Sequence, residues 1–465
     1  MPKPNQNHNA KPGYNLTKLG WIPEEWIEDK LLNLVKRLNS GVSVNSEERR
    51  KHDHEFGVLK TGCVSDGRFD PNEHKTILKQ EYNRAKLNPI KGSIIISRMN
   101  TPDLVGACGY VSETWLDLFL PDRLWQTILN HDLVEGKWLN FLLNTDNYKT
   151  KIKNIATGTS NSMKNISKSS FLQLSLPLPP LPEQQKIAQI LSTWDEAIQK
   201  TETLIAKKQQ LKIGLMQALL TGQKRFKEFV KSTKFKATKL GQVPQDWDVC
   251  AVSELFQFIP TNSFSRAQMN YHSVEGSIYN IHYGDIHATY NHVILDVSKS
   301  EKLIPVLNNN LPHNENAYLK DGDLVIADAS EDYKGVGDCV ELKNIQGRKV
   351  LSGLHTVALR DKAEKTSDGY RAYLFKNEPV SISMMKLARG SKVYGITKTS
   401  VSKLEVILPP KEEQQKIASV LSQADDEIES LQKHLEQLKI QKKGLMQTLL
   451  TGQVRVNAES NQYKL

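Results

Sequence analysis

The sequence predicts an α+β fold with two similar globular α/β domains, separated by two long helices that form an antiparallel coiled coil. Three observations support this prediction. One segment occurs twice at a fixed offset, both copies carry a long apolar seam with helical spacing, and the stretches between them mix short β-type runs with loops.

The repeat is clearest in two blocks of the 465-residue chain. PPLPEQQKIAQILSTWDEAI, from Pro179, returns as PPKEEQQKIASVLSQADDEI from Pro409, and KIGLMQALLTGQ, from Lys212, returns as KKGLMQTLLTGQ from Lys442. Both blocks keep the same offset of 230 positions. Because the register does not slip, the repeated helix has one fixed length.

Each copy predicts a helix of about 40 residues, roughly 60 Å long at about 1.5 Å per residue. Pro179, Pro180 and Pro182 stand where the first helix begins, and Gly222 and Gly452 stand where the two helices end. Apolar residues recur at alternating intervals of four and three, which is typical of a coiled-coil seam. We therefore predict that the helices pair through Ile187, Leu191, Trp194, Ile198, Ile205, Ile417, Leu421, Ile428, Leu431, Leu435 and Leu438.

An amphipathic helix of this length needs a partner for its seam. The simplest partner is the other copy, and an antiparallel pair would place one globular domain at each end, related by a pseudo-two-fold axis. Two alternatives stay open: each helix packs on its own domain, or the seam drives homodimerisation. We favour the intramolecular pair.

Weaker repeats extend into the globular domains. KLGWIPEEW at Lys18 matches KLGQVPQDW at Lys239, and KGSIIISRM at Lys91 matches DGDLVIADA at Asp321, where the apolar runs predict strands. WLNFLL from Trp138 and YRAYLF from Tyr370 predict short buried helices. The predicted boundaries are a tail (1–15), domain 1 (16–178), helix 1 (179–223), a basic linker (224–236), domain 2 (237–408), helix 2 (409–453) and a tail (454–465).

The charge balance favours a polyanionic partner or simply solubility. The formal net charge is +10, and lysine and arginine release counterions when they bind phosphates. Polar, basic loops follow the predicted strands, and their Ser, Thr, Lys, Asn and Arg side chains could contact phosphates and base edges. For any one residue a solvated loop side chain is the simpler interpretation. The candidates for DNA binding are Lys60, Arg98, Asn100, Ser160, Asn161, Lys164, Lys168, Lys334, Lys392, Tyr394 and Lys398.

Recognisable catalytic motifs are missing from the sequence. It contains no GxxxxGK[ST], GxSxG, HExxH or DPPY-like amino-methyltransferase motif. His282 and His287 are close in sequence but have no clear third ligand, so structural roles are expected for them. The four cysteines form no CxxC pair, which indicates reduced thiols in a cytosolic protein. The N-terminus has no apolar core and no apolar run is long enough to cross a membrane, so we expect a cytoplasmic protein.

The arrangement resembles the specificity subunit of type I restriction–modification systems. The resemblance rests on LPPLPEQQKIA at Leu178, LPPKEEQQKIA at Leu408, the GLMQxLLTGQ endings at Gly214 and Gly444, and the GxxPxxW openings at Gly20 and Gly241. Together these anchors span nearly the whole chain.

The resemblance implies two target-recognition domains, each reading one half of a split double-stranded DNA target, with the helices acting as a ruler between the half-sites. It also implies two methyltransferase (M) subunits docked on the helices and restriction/translocase (R) subunits. S-adenosylmethionine, ATP and magnesium would belong to those partners, and this chain would be no enzyme and hold no cofactor or metal. The alternatives are a coiled-coil adaptor that does not bind DNA and the specificity part of a fused methyltransferase.

Overall fold

The computed structural model describes residues 11–65, 67–158, 162–272, 278–290, 292–300, 303–308 and 311–457. The chain divides into two compact units. The first unit consists of the chain up to Thr201 together with the part from His434 onward, and the second unit is Glu202–Lys433. Each unit therefore combines one globular domain with a part of each long helix.

The elements of the first unit are mostly short. Its strands are β1 (Tyr14–Thr17), β2 (Gly20–Pro23), β3 (Ile27–Lys30), β4 (Val35–Ser40), β5 (Ser46–Glu47), β6 (Gly57–Leu59), β7 (His74–Ile77), β8 (Ile94–Ser97), β9 (Met99–Asn100), β10 (Cys108–Tyr110), β11 (Leu118–Phe119), β12 (Leu124–Leu129), β13 (Lys164–Asn165) and β14 (Ser175–Leu178). Its helices are α1 (Leu31–Leu34), α2 (Gly136–Leu143), α3 (Asp146–Ile155), α4 (Lys168–Leu172) and the beginning of α5 (Leu181–Leu220).

The second unit contains the end of α5 and a comparable set of elements. Its strands are β15 (Phe235–Thr238), β16 (Gly241–Pro244), β17 (Asp248–Ala251), β18 (Phe256–Ile259), β19 (Met269–Asn270), β20 (Ile278–Ile281), β21 (Ile294–Asp296), β22 (Val306–Leu307), β23 (Leu324–Ala327), β24 (Ala329–Ser330), β25 (Cys339–Lys343), β26 (Lys349–Ser352), β27 (Thr356–Asp361), β28 (Tyr394–Gly395) and β29 (Glu405–Leu408). Its helices are α6 (Val252–Leu255), α7 (Tyr283–Ala288), α8 (Arg371–Lys376), α9 (Glu378–Leu387), α10 (Lys398–Lys403) and the beginning of α11 (Lys411–Leu449), which ends in the first unit.

The two domains share their sheet topology. The main sheet has the order β10-β8-β12-β4 in the first unit and β25-β23-β27-β18 in the second, where β21 is added beside β25. The apolar strands β8 and β23 occupy interior positions, and Ile94–Ile96 and Leu324–Ile326 are fully buried. This burial explains their continuous apolar sequences, and it confirms the two predicted strands.

A second sheet also repeats, although the sequence did not predict it. Its order is β11-β6-β7-β5 in the first unit and β26-β20-β22-β19 in the second. One pair in each sheet is parallel, β6 with β11 and β20 with β26. The short helices α2 and α8 confirm the predictions from WLNFLL and YRAYLF, and both are almost wholly buried.

The long helices complete the domain cores. Ile187 and Leu191 of α5 lie in the first unit's core together with Leu449 of α11, whereas Ile417 and Leu421 of α11 lie in the second unit's core together with Leu219. The first turns of each helix therefore pack on the domain that precedes it. Farther along, the seam residues Ile198, Ile205 and Ile428 are buried, and Trp194, Leu431, Leu435 and Leu438 are half-buried.

Ion pairs show the direction of helix pairing inside each unit. In the first unit Lys442 Nζ of α11 lies 2.7 Å from Asp195 Oδ1 of α5. In the second, Lys208 Nζ of α5 lies 2.6 Å from Glu427 Oε1 of α11, and Lys212 contacts Asp425. In the second unit the residue number rises along α5 as it falls along α11. In the first unit Lys442 pairs with Asp195, whereas Arg455, beyond the end of α11, pairs with Glu183 at the start of α5. Both pairs of segments therefore run antiparallel.

A buried carboxylate lies at the start of each long helix. Glu413 Oε2 accepts hydrogen bonds from Trp247 Nε1 (2.9 Å) and from Arg225 Nη2 (2.7 Å), and Arg225 also binds Asp246. We call these four residues the second-unit junction. Gly222 lies against it with φ +72°, where a Cβ atom would come within 2.4 Å of Pro244 Cγ.

The repeat produces the same arrangement in the first unit. Glu183 Oε2 accepts hydrogen bonds from Trp26 Nε1 and from Arg455 Nη2, each at 2.9 Å, and Arg455 also binds Glu25. These four residues are the first-unit junction. Gly222 and Gly452 follow the last helical residues with positive φ, which confirms that they end the helices.

The junctions correct one expectation from the sequence. The basic segment that follows Gly222 was interpreted as a solvated linker, but Arg225 is only 5% exposed and the segment continues into β15. Arg455, in the predicted C-terminal tail, is likewise bound to Glu183. These residues looked like a charge run because their acidic partners are distant in sequence. The four cysteines are buried and free.

Removal of Arg225 should destabilise the second unit strongly. Arg225→Ala leaves Glu413, 1% exposed, without its cation, and breaking a buried pair costs about 3–5 kcal/mol. Arg455→Ala is the matched variant. Its loss should be smaller, because water reaches an arginine that is 36% exposed. Urea denaturation measures the free energy of unfolding of the two variants. Equal losses of that free energy would contradict the expected effect of the arginine's burial.

Candidate DNA interface

Two short antiparallel ribbons bring most of the predicted binding residues together. In the first ribbon β9 pairs with β13, so that Asn100 lies opposite Lys164. In the second ribbon β24 pairs with β28, so that Ser330 lies opposite Tyr394. Each ribbon begins directly after the buried strand β8 or β23. A rigid interior strand therefore positions it at the same end of the main sheet.

Each ribbon carries a glycine at a position that other residues would occupy with strain. Gly390 has φ +137°, and a Cβ atom there would lie 1.8 Å from the carbonyl oxygen of Val393. Gly158 has φ +146°, and its Cβ atom would lie 2.7 Å from the carbonyl oxygen of Met163. Each glycine lies in the turn that leads into β13 or β28, where Thr157 bridges Asn165 and Arg389 bridges Gly395. The close approach of the two sides of this turn requires glycine.

The predicted residues of the first ribbon make many contacts within their domain. Arg98 Nε donates to the carbonyl oxygen of Asp122 (2.7 Å), and its Nη1 donates to Asn165 Oδ1 (3.1 Å). Asn100 Nδ2 donates to Ser97 Oγ at 3.1 Å. The lysine ammonium groups bind main-chain carbonyl oxygens, Lys164 that of Gly158 and Lys168 that of Leu38. Arg98 and Asn100 therefore hold the ribbon in shape, while Lys164 lies at its edge.

The second ribbon offers more exposed groups. Lys334, Lys392 and Lys398 are exposed, and Lys398 Nζ lies 4.9 Å from the ring centroid of Phe258. Tyr394 is half-buried between the ribbon strands and the loop that follows β24. Three cations and an aromatic side chain thus surround one ribbon.

Lys60, Ser160 and Asn161 are not among the predicted residues described above at or beside the ribbons. Lys60 follows β6 in the second sheet, and its Nζ lies 2.7 Å from Glu48 Oε1. The hydrogen bond from Lys60, with a second one from Lys75, lowers the pKa of Glu48. Ser160 and Asn161 lie outside the described residues.

Tyr333 is a candidate that the sequence did not reveal. It is 44% exposed in the loop after β24, and its ring packs edge-on against Tyr394 with centroids 5.3 Å apart. The loop is held by hydrogen bonds from the Gly335 amide to Asp332 and from the Asp332 amide to Ser330. The sequence signal that could have revealed it is a tyrosine close to a lysine in each of two polar segments. Tyr333 precedes Lys334, and Tyr394 lies two positions after Lys392.

A second missed feature is an exposed apolar side chain near the tip of each ribbon. Met163 is 36% exposed and Val393 is 51% exposed. The two residues occupy equivalent places in the repeat, with the same offset of 230 positions as the helices. Alignment of the two ribbons would have shown this match, which neither segment shows alone.

His287 contacts the main chain of the second ribbon. Its Nε2 lies 3.0 Å from the carbonyl oxygen of Ala329 in β24, and its Nδ1 lies 3.3 Å from Asp338 Oδ2. A carbonyl and a carboxylate both accept hydrogen bonds, so the arrangement favours the doubly protonated ring. The hydrogen bond with Asp338 raises the pKa of His287 against the opposing effect of burial.

The other histidine of the predicted pair is a helix cap. His282 Nδ1 accepts a hydrogen bond from the Gly284 amide at the start of α7. Burial, with smaller contributions from Arg266 and His355, lowers the pKa of His282 to about 4. Among the described residues no group of three or more His, Cys, Asp or Glu side chains is arranged to hold a metal ion. His282 and His287 thus both contact groups of their own domain.

The comparison with protein families identifies this architecture. The model of the type I restriction modification DNA specificity domain matches the chain twice, over residues 23–212 and 244–439. The chain belongs to this family. It is a specificity subunit of a type I restriction–modification system, and each match includes one recognition domain and most of the helix that follows it.

Individual relatives cover almost the whole chain. A protein of Methanocaldococcus jannaschii, provisionally named as the specificity subunit of the type I restriction enzyme MjaX, is 27% identical over 95% of this chain and 97% of its own length. The specificity subunit of the Escherichia coli enzyme EcoKI is 21% identical over 94% of this chain and 90% of its own.

Solved structures show the same fold. The S subunit of the type I system from M. genitalium aligns with a TM-score of 0.54 and 15% identity over 95% of this chain and 99% of its own. A structure described as showing complex assembly and conformational transition of the type I R-M system aligns with a TM-score of 0.54 and 17% identity over 93% and 99%. In the described part of this specificity subunit, no helix is long and apolar enough to span a membrane.

The ribbon glycine supplies a direct test of the interface. Gly390→Ala should distort the turn that leads into β28, because the new Cβ atom overlaps the Val393 carbonyl, and DNA affinity of the assembled complex should fall. Gly395→Ala, in the same ribbon, is the control, since its Cβ atom would lie at an ordinary 3.6 Å from the Asp328 carbonyl oxygen. Filter binding at fixed salt compares the two. Equal affinities would exclude the second ribbon from the interface.

Proposed function

We propose that this specificity subunit reads a bipartite double-stranded DNA target, with one half-site bound by each globular domain. The observation that carries the proposal is the repeated ribbon, which has different side chains at equivalent, partly exposed positions. Lys164 of the first ribbon corresponds to Tyr394 of the second, and both are half-buried. A shared framework with different polar groups at one partly exposed place is suited to reading two different sequences.

The proposed division of labour follows from the exposed groups. Lys334, Lys392 and Lys398 are exposed cations that can contact phosphates without selecting a base. Tyr333 and Tyr394 offer hydroxyl groups and apolar ring edges that can distinguish bases in a groove. In the first domain Lys60, Arg98, Asn100, Lys164 and Lys168, together with Ser160 and Asn161, remain the candidates.

The proposed partners supply the chemistry. We assign methyl transfer to two methyltransferase subunits that dock on α5 and α11, and translocation and cleavage to restriction subunits. S-adenosylmethionine, ATP and magnesium belong to these partners, and this chain is a non-enzymatic cytoplasmic component. Two observations support this assignment: the match to the family, and the similarity to a solved structure whose description concerns assembly of the type I R-M complex. Neither an adaptor without DNA binding nor a fused methyltransferase accounts for the paired ribbons.

The second ribbon tests the half-site assignment. Tyr333→Ala should relax one half of the methylated motif and leave the other half unchanged, at a cost of about 1–3 kcal/mol in affinity for the correct sequence. Lys334→Ala, the adjacent control, should weaken binding to all sequences alike and reduce the salt slope by about one. Both are measured with the complete methyltransferase complex, by sequencing methylated sites and by salt titration.

Two outcomes would decide against this assignment. A change in both halves of the motif on Tyr333→Ala would mean that the domains do not read separate half-sites. An unchanged motif and affinity would remove Tyr333 from the interface.

The helix pair should set the spacing between the half-sites. Insertion of four residues between Thr201 and Glu202 and of four between Lys433 and His434 lengthens both helices at the boundaries of the two units. Each insertion adds about 6 Å, so the preferred spacer should grow by one or two base pairs at about 3.4 Å each. Some loss of affinity is expected, because four residues form a stutter in a heptad seam.

The insertion site and its control follow from local packing. Insertions near Gly222 are unsuitable, since that glycine packs on Pro244 and Trp247. Four residues inserted at Gly347, which has open space around it, serve as the control and should leave the spacer unchanged. If the double insertion leaves the methylated spacer unchanged while both half-sites are read, the helices are only a docking surface.

A further inference from the structure

One aspartate in each long helix faces two basic groups at once. Asp195 of α5 and Asp425 of α11 are equivalent in the repeat, and each contacts a lysine of the other helix, Lys442 and Lys212 respectively. Both carboxylates are mostly buried, with 24% and 12% of the side chain exposed. These lysine contacts belong to the helix pairing described above.

The second basic group comes from the globular domain and differs between the units. In the first unit Arg68 Nη2 lies 3.7 Å from Asp195 Oδ1. In the second, His292 Nδ1 lies 3.5 Å from Asp425 Oδ1, and its Nε2 lies 3.4 Å from Glu429 Oε2 on the same helix. Both groups precede the main-sheet strand β8 or β23 in their domain. We call the contact between this basic group and the helix aspartate the tether of each unit. Its basic group is an arginine in the first domain and a histidine, which can lose its charge, in the second.

We propose that His292 is a positioning residue whose protonation holds the second recognition domain against α11, so that binding of the second half-site depends on pH while binding of the first does not. The proposal rests on the proposed half-site function. It follows from charge pairing: each ring nitrogen of His292 lies within 3.5 Å of a carboxylate oxygen. Only the imidazolium carries the positive charge that completes these two ion pairs.

The surrounding charges agree with a protonated ring. Asp425 and Glu429 face it from α11, Lys212 from α5 and Lys299 from the segment after β21, while the Tyr373 hydroxyl of α8 lies 3.4 Å from Asp425 Oδ2. His292 lines a cavity of about 270 Å³, which is also lined by Asp296, Lys343 and Asp426. The Asp425 carboxylate beside the ring raises the pKa of His292, although burial and Lys212 act in the opposite direction.

The sign of the pH dependence follows. A group whose pKa is higher in the folded protein contributes its full stabilisation below its ordinary pKa of about 6.5, and the contribution is lost as the pH rises through the raised value. The tether in the second unit is therefore complete in mildly acidic solution and weakens in alkaline solution. Arg68 keeps its charge throughout, so the first tether does not change.

A short structural path connects His292 to the second ribbon. Its segment leads into β21, which pairs in parallel with β25 through Ile294–Glu341 to Asp296–Lys343. β25 follows the loop that carries Tyr333. Without the tether this edge of the domain is held less firmly on α11, and DNA binding must then supply more of the ordering.

The test compares the wild-type complex with His292→Arg and His292→Gln. We expect the affinity of the wild-type methyltransferase complex for its target duplex to fall about three- to tenfold between about pH 6 and pH 8.5, the size of a partly buried ion pair. His292→Arg copies the first unit and should flatten this profile, while His292→Gln should bind weakly at every pH. His287 also titrates near the ribbon, so the readout is the difference between the wild-type and His292→Arg profiles.

A reciprocal variant keeps the test independent of folding defects. Arg68→His should transfer the pH dependence to the first half-site, observed with duplexes in which one half-site at a time is altered. Identical pH profiles for wild type and His292→Arg, or wild-type affinity of His292→Gln at low pH, would overturn the proposal. If instead the complex shows no preference for its target at any pH, the half-site function itself fails.

Discussion

A buried carboxylate at the first turn of each long helix constrains the rest of this structure. Glu183 and Glu413 are too deeply placed to remain charged without partners, and the partners come from distant segments. One is the tryptophan of the GxxPxxW opening of the same domain, and the other is an arginine just beyond the end of the other helix. Each domain is therefore completed by the repeat to which it does not belong. Antiparallel pairing of the helices inside each unit follows directly, because only that direction brings a helix end to the start of its partner.

The same constraint determines which residues can differ between the two repeats and which cannot. The junctions, the helix ends and the interior strands are buried and must match each other across the repeat. The ribbons extend from the ends of interior strands, and exposed side chains beside them, such as Lys392 and Val393, can change without disturbing the core. Lys164 and Tyr394 occupy equivalent places but differ in charge, size and hydrogen-bonding capacity. Specificity can thus diverge on a framework that stays the same.

The sequence predicted the elements whose signals are local. The helices, their terminal glycines, the strands β8 and β23 and the helices α2 and α8 each depend on a single continuous pattern. The second sheets were missed because their strands have only two to four residues and pair across long separations, as β6 does with β11. Arg225 was misinterpreted for the same reason, since Glu413 is 188 positions away. For the ribbons, sequence could place Lys164 and Tyr394 in polar loops, but only the fold shows that Tyr333 packs on Tyr394.

The net charge of +10 is a poor guide to the DNA-binding surface. Arg225, Lys212, Lys442 and Arg455 are bound to acidic partners that fix the helix pair, and Lys376 is bound to Asp338 beneath the second ribbon. These cations count toward the total, yet their charge is already neutralised by nearby carboxylates. What remains for a polyanion is the exposed set, which in the second domain includes Lys334, Lys392 and Lys398 near the ribbon. Local exposure, rather than total charge, therefore determines where phosphates can be met. In the first ribbon, Arg98 and Lys168 donate to groups of their own domain, so fewer donors stay available there. Under the proposed half-site function, the two domains would contact DNA by unequal means.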